Sequence, residues 1–179
     1  MEIKITTQQT LKFLHVLSWI IFIGLCVDTG SFIFNAGYTM LNPLGSAYFG
    51  LSGLYGYDPG YYYVVMLFMS IVGVLKTIIF YLIVVILHDK KLNMSQPFNA
   101  EMGRLVFKIT YLALGTGLFS YWGKEYSNWL TGQGVQMPDI ESLHIGGADV
   151  WLFMGVVFFV VAHIFKKGIE IQSENELTV

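Results

Sequence analysis

The chain has 179 residues, of which 55% are hydrophobic, 16% aromatic and 12% charged, with a mean hydropathy of +0.60. A soluble domain carries about 25% charged residues, so this composition excludes a soluble globular protein, a disordered tail and a collagen-like repeat. Cys26 is the sole cysteine, which excludes a disulfide scaffold, and the net charge of -2 matters less than where the charges sit.

The predicted class is all-α: a membrane-embedded four-helix bundle with a tyrosine- and glycine-rich external loop, built as one domain. Four apolar runs, 13–35, 62–87, 105–122 and 150–165, approach the roughly 20 residues needed to cross the hydrocarbon core. They are continuous rather than alternating with a period of two, which argues against a barrel. The first run is longer than a signal-peptide core, contains Asp28 and is followed by no A-x-A site, so it is expected to stay as a membrane anchor.

Lysine and arginine set the expected topology. Lys4 and Lys12 precede span one, Lys90, Lys91, Arg104 and Lys108 flank the link between spans two and three, and Lys166 and Lys167 follow span four, with Lys124 alone on the other side. Both termini and the link 89–104 are therefore expected in the cytoplasm, leaving external loops over roughly 36–61 and 124–148. The first of these holds Tyr38, Tyr48, Phe49, Tyr55, Tyr57 and the run Tyr61 to Tyr63 among glycines, with Asn42-Pro43 and Asp58-Pro59. Tyrosine suits the headgroup level, so this segment reads as an interfacial cap; the sharper alternative is a ligand surface.

Polar residues inside the spans carry the site expectations. Counted at about 1.5 Å per residue, Asp28 and Lys76 both fall well inside the bilayer, Asp28 about one helical turn farther out. A charge there costs at least about 2.5–3.5 kcal/mol, and an Asp28–Lys76 ion pair across antiparallel spans answers that cost. Gly24, Asp28, Ser31 and Asn35 share one side of span one, and Gly73, Lys76, Thr77 and Phe80 one side of span two. Span three has the stripe Thr110, Ala113, Gly117 and Ser120, and span four Gly155 and Ala162. Ser31, Asn35, Thr77, Thr110 and Ser120 thus form a predicted polar seam, either a packing interface or a transport path. The ion pair is likewise either a functional centre or a device that fixes helix pairing.

His15, His88 and His163 lie near the cytoplasmic ends of spans one, two and four, while His144 is external. They read as interfacial histidines, with ligation of a b-type haem as the alternative; no metal site or other cofactor is expected. No H-E-x-x-H, C-x-x-C, P-loop, G-x-G-x-x-G or G-x-S-x-G motif occurs, which offers no catalytic residue and points away from a soluble-type active site. Ser95 is a candidate cap and Pro97 a first-turn residue for helix three, with Glu101 at its positive end; Asp149 is the candidate cap of span four. The segment 168–179 combines glutamates with Ile169, Ile171, Leu177 and Val179. Glu174, Glu176, Leu177 and Val179 are the residues expected to dock a soluble partner.

The runs LHVLSWIIFIGLCVDTG at 14–30, 74–87 with Lys76 and Phe80-Tyr81, KKLNMSQPF at 90–98 and the closing GIEIQSENELTV resemble the DUF2975 family of bacterial four-span membrane proteins. That resemblance supplies no catalytic residue. It implies a genomic neighbour, a small helix-turn-helix regulator of the Cro type, and hence a membrane partner for a transcription factor. The chain itself has no basic stripe for DNA, so its expected contacts are the lipid bilayer and that regulator. Three functional readings follow: a non-enzymatic inner-membrane sensor or tether, a small transporter or proton-coupled carrier using Asp28 and Lys76, and a haem or quinone redox protein.

Overall fold

A computed structural model describes residues 7–88 and 99–176. Among these residues there is no strand; the elements are α1 (Thr7–Leu41), a 3-10 turn (Pro43–Ala47), α2 (Ser52–Tyr57), α3 (Pro59–His88), α4 (Ala100–Gly132) and α5 (Ala148–Glu176). Local chemistry fixes the boundaries. Asn42 caps the 3-10 turn by accepting from the Leu44 amide at 3.1 Å, with Pro43 in its first turn. Asp58 accepts from the Gly60 amide at 2.6 Å and Pro59 opens α3, a proline being tolerated where no amide partner exists. Helix α4 is capped by Asn99, whose side chain accepts from the Met102 amide at 2.8 Å. It therefore starts later than the Ser95 and Pro97 start expected from sequence, and both of those lie outside the described residues. Asp149 falls inside the first turn of α5 rather than before it.

All four long helices outrun their predicted spans, and the segment expected as an external loop over 36–61 is largely helical. Three of them, α1, α3 and α5, are long and apolar enough to cross a membrane. The expectation of four such helices is corrected here: α4 carries Arg104, Lys108, Lys124 and Glu125 and buries Thr110, Thr116, Ser120 and Ser127, which lowers its apolar content.

The four long helices pack in a row, each on the next. Helix α1 packs on α3, α3 on α4, and α4 on α5, while no Cα of α1 approaches one of α4 or α5 within 8 Å. Neighbours run antiparallel in constant register. Thr29 meets Gly73 and His15 meets His88 between α1 and α3; Leu75 meets Gly115 and Phe68 meets Gly123 between α3 and α4. Between α4 and α5 the fit is reciprocal, Leu152 lying on Gly117 and Leu114 on Gly155. Each glycine accepts a leucine because a Cβ at either position would come within 2.6 Å of it.

That register exposes a mismatch in length. Helix α4 continues for roughly 22 Å past Gly117, whereas α5 begins only about 6 Å before Leu152. The connection 133–147 must therefore turn back along α4, and it fills the place that α5 leaves vacant. Gly134, at φ 84°, permits the reversal. Val135, Leu143 and Ile145 are buried with Leu51, Leu54, Tyr62, Val65, Met66, Met69 and Val72 in the main core cluster. Burying such side chains is worth about 1.5–3 kcal/mol each, so this loop is part of the core.

Candidate functional site

The returning loop brings His144 to the place where sequence reasoning put an ion pair. His144 has φ 57°, a left-handed backbone conformation unfavourable for a residue with a side chain. Its carbonyl accepts from Lys76 Nζ at 3.1 Å, and its Nδ1 lies 3.8 Å from Asp28 Oδ2. The imidazole also packs edge-on against Phe32, with ring centroids 5.3 Å apart. Lys76 Nζ stands 5.9 Å from the centre of the Trp151 ring, in the first turn of α5. The Glu141 and Asp28 carboxylates both act electrostatically on the Lys76 ammonium. Glu141 is folded over Gly146, where a Cβ would meet Oε1 at 2.8 Å.

No ion pair joins Asp28 directly to Lys76 among the described residues; His144 lies between them, touching one through its ring and the other through its carbonyl. Four chain segments, α1, α3, the 133–147 loop and the start of α5, thus converge on one ammonium. Asp28 and His144 side chains remain 48% and 46% exposed, so this is an open polar cluster rather than a sealed pair. A contact of that exposure is worth about 0.2–1 kcal/mol, and the hydrogen bond from a charged donor about 1.5–3 kcal/mol.

The remaining seam residues divide by what their side chains reach. Thr77 Oγ1 bonds Thr29 Oγ1 at 3.1 Å and the Gly73 carbonyl at 2.8 Å, so it links α3 to α1. Asn35 is buried, donates to the Gly45 carbonyl at 3.0 Å and accepts from the Tyr62 hydroxyl at 2.9 Å; Thr39 also lies 2.9 Å from that hydroxyl. Ser31 and Thr110 instead bond carbonyls of their own helices, at Asp28 and Val106. Ser120 is buried and, with Ser127, has no hydrogen-bond partner. These two flank Gly123, against which Ile145 of the returning loop packs.

Thr29, Thr39, Tyr62, Glu141 and His144 were not among the predicted site residues. Thr29 sits beside Asp28, but a threonine in an apolar run gives no sign of its partner; Tyr62 belonged to a run read as interfacial.

Of the three histidines expected as alternative haem ligands, two come together and the third lies apart. His15 and His88 pack at 5.6 Å between ring centroids, and His15 Nε2 accepts from Trp19 Nε1 at 3.0 Å. His163 lies instead against Phe159 and Phe107, at 4.6 and 5.6 Å. It belongs to α5, which does not pack on α1, so the three-histidine set is corrected to a pair and a separate residue. Among the described residues no group of three His, Cys, Asp or Glu side chains is arranged to hold a metal ion.

The segment expected to be a loose docking tail is helical as far as Glu176, and Ile169 packs close to Gly103. Glu174 is exposed and Glu176 ends the helix; Leu177 and Val179 lie outside the described residues.

Three apolar helices of membrane-crossing length, joined through a charged cluster, define a multi-pass membrane protein. The family model for DUF2975, proteins of unknown function, matches residues 54–179. The chain belongs to that family. The match begins at Leu54, so the resemblance noted over 14–30 lies ahead of it. No curated protein and no solved structure matches the chain.

Proposed function

We propose that the protein is a non-enzymatic sensor in the bacterial inner membrane, in which the 133–147 loop is a latch on the membrane helices. One observation carries the reading: the loop turns back so that His144 contacts Asp28 of α1 and Lys76 of α3 at once. Release of the latch would free α1 from the loop that leads into α5 without breaking the α1–α3 or α4–α5 seams. Motion at this end can then be passed along both flanking helices to their far ends. A cytoplasmic protein partner, such as a helix-turn-helix regulator, would receive that state there.

In this reading α4 is the fourth crossing. It lies antiparallel between α3 and α5, and its buried hydroxyls face protein rather than lipid. The lysines favour cytoplasmic termini. Lys166 and Ala148 bracket roughly 28 Å of α5, close to the hydrocarbon thickness of about 30 Å. On this reading Asp28 and Lys76 lie in the outer third of the membrane, within reach of headgroups.

The contacts of His144 with Asp28 on α1 and Lys76 on α3 make it the natural release point. The test is the distance between spin labels at positions 40 and 139 in a Cys26→Ser background, measured in lipid with His144 in place and with His144→Ala. A longer or broader distance in the His144→Ala variant is the expected result. A distance that ignores that substitution would dismiss the latch.

A further inference from the structure

The tyrosine-rich first connection meets the end of α4 in a cluster of rings. Tyr57 ends α2, Tyr61 lies in the first turn of α3, and Tyr126 and Trp129 are three residues apart on one face of α4. The Tyr61 ring centroid is 5.6 Å from that of Trp129 and 6.4 Å from that of Tyr126, at interplanar angles of 86° and 78°. Tyr126 and Trp129 are 5.7 Å apart and tilted by only 31°. The two α4 rings thus share a floor, and Tyr61 stands across both as a wall. Tyr57 extends that wall, 6.1 Å from Tyr61 at 25°. Water reaches the corner, because Tyr57 and Trp129 are 55% and 46% exposed. Tyrosines of an interfacial belt meet headgroups singly; here three elements bring their rings to one place.

We propose that this corner binds a quaternary ammonium group. The centroids of Tyr61, Tyr126 and Trp129 form a nearly even triangle, and a point about 3 Å out of its plane is about 4.5 Å from all three, inside the roughly 6 Å over which a ring attracts a cation. Asp58 supplies the matching charge. Its Oδ1 accepts from the Gly60 amide at 2.6 Å, which pins the carboxylate over the first turn of α3. Tyr61 leans toward that same turn, since side chains on a helix tilt toward its N-terminus. Among the described residues no lysine or arginine pairs with Asp58 or lies over any of the four rings. The corner offers ring faces and few acceptors, so a primary ammonium would leave N–H groups unmatched there. A trimethylammonium has none to match, and its methyl groups gain cover from the rings. A free solute and a choline lipid headgroup carry this same group, and the experiment tells them apart. The corner shares no residue with the His144 latch, so each idea stands or falls alone.

The experiment uses the full chain in nanodiscs of phosphatidylethanolamine and phosphatidylglycerol, with radiolabelled choline as the probe. Its uncharged isostere, 3,3-dimethylbutan-1-ol, competes for the site. Choline is expected to bind at least about tenfold more tightly than the alcohol, a difference of about 1.4 kcal/mol. Tyr61→Leu and Trp129→Leu should each weaken choline at least about fivefold. Asp58→Asn keeps an acceptor for the Gly60 amide, and should weaken choline while leaving the alcohol unchanged. Tyr111→Leu, exposed on the same helix about 27 Å from Trp129, should change nothing. Thermal unfolding identifies any variant that fails to fold, and the comparison of choline with the alcohol on the unmodified chain then carries the test. Absence of choline binding, equal affinity for choline and the alcohol, or undiminished binding in folded Tyr61→Leu and Trp129→Leu would each overturn the proposal. Nanodiscs with added phosphatidylcholine identify the source: loss of choline binding there assigns the corner to the lipid headgroup, and unchanged binding assigns it to the free solute.

Discussion

Replacing Gly117 by alanine tests whether α4 and α5 are held together by backbone approach. A Cβ at Gly117 would stand 2.6 Å from Leu152 Cγ, 2.8 Å from its Cδ2 and 2.9 Å from its backbone nitrogen. Carbon atoms pack best at about 3.5–4.0 Å, so the shortfall is close to 1 Å. The leucine cannot simply rotate away, because its own main chain is part of the obstacle. The helices must move apart, which loosens the reciprocal fit of Leu114 on Gly155 one turn away. Overpacking of this kind costs about 1–3 kcal/mol, against a helix-propensity gain of about 1 kcal/mol for alanine over glycine. A net loss of up to about 2 kcal/mol is expected, seen as a lower midpoint of thermal unfolding in detergent followed by circular dichroism. Gly37→Ala is the matched control, since nothing lies within 4 Å of its Cβ position, and it should be neutral or slightly stabilising. Equal midpoints for Gly117→Ala and Gly37→Ala would refute the reasoning.

Three further outcomes are expected. Tyr62→Phe removes the hydroxyl that bonds Asn35 and Thr39 and leaves a buried amide oxygen unmatched, a loss of about 1–3 kcal/mol measured by denaturant unfolding; an unchanged midpoint would place that network outside the core. Ser120→Ala and Ser127→Ala each delete a buried hydroxyl without a partner and should leave stability unchanged or raise it by about 1 kcal/mol, so a clear loss in either would reveal a bonding role. In a double-mutant cycle, Asp28→Asn and Lys76→Met should couple by less than about 1 kcal/mol, because their link runs through a half-exposed histidine; coupling of several kcal/mol would mean a direct pair.

Much of the fold is legible where the signal is local. Asn42-Pro43 and Asp58-Pro59 carry the turn and cap chemistry that divides the first connection, and both act in that way here. The hydrophobic runs locate the helices because an apolar stretch has to be covered whatever its partner. Polar stripes say less. Ser31 and Thr110 lie on the predicted polar stripes yet bond their own helices, since a hydroxyl in a helix has a carbonyl three or four residues back within reach. The role of His144 was not legible, because it depends on α5 starting far below the end of α4, and that offset exists only once the Gly117–Leu152 register is set. The ionic groups Asp28 and Lys76 stand out from composition alone; the imidazole inserted between them does not.

The short reach of α5 also dictates an order of assembly. Val135, Leu143 and Ile145 are buried against residues of α3 and the segment around Leu51 and Leu54, so the returning loop has no surface to fold on until the earlier helices are in place. It is tethered at its far end by α5, which is made after α1, α3 and α4. Until then Val135, Leu143 and Ile145 are uncovered, and Lys76 has no His144 carbonyl to bond. A chain whose loop has not yet returned therefore displays an apolar patch and a cation that the folded protein covers.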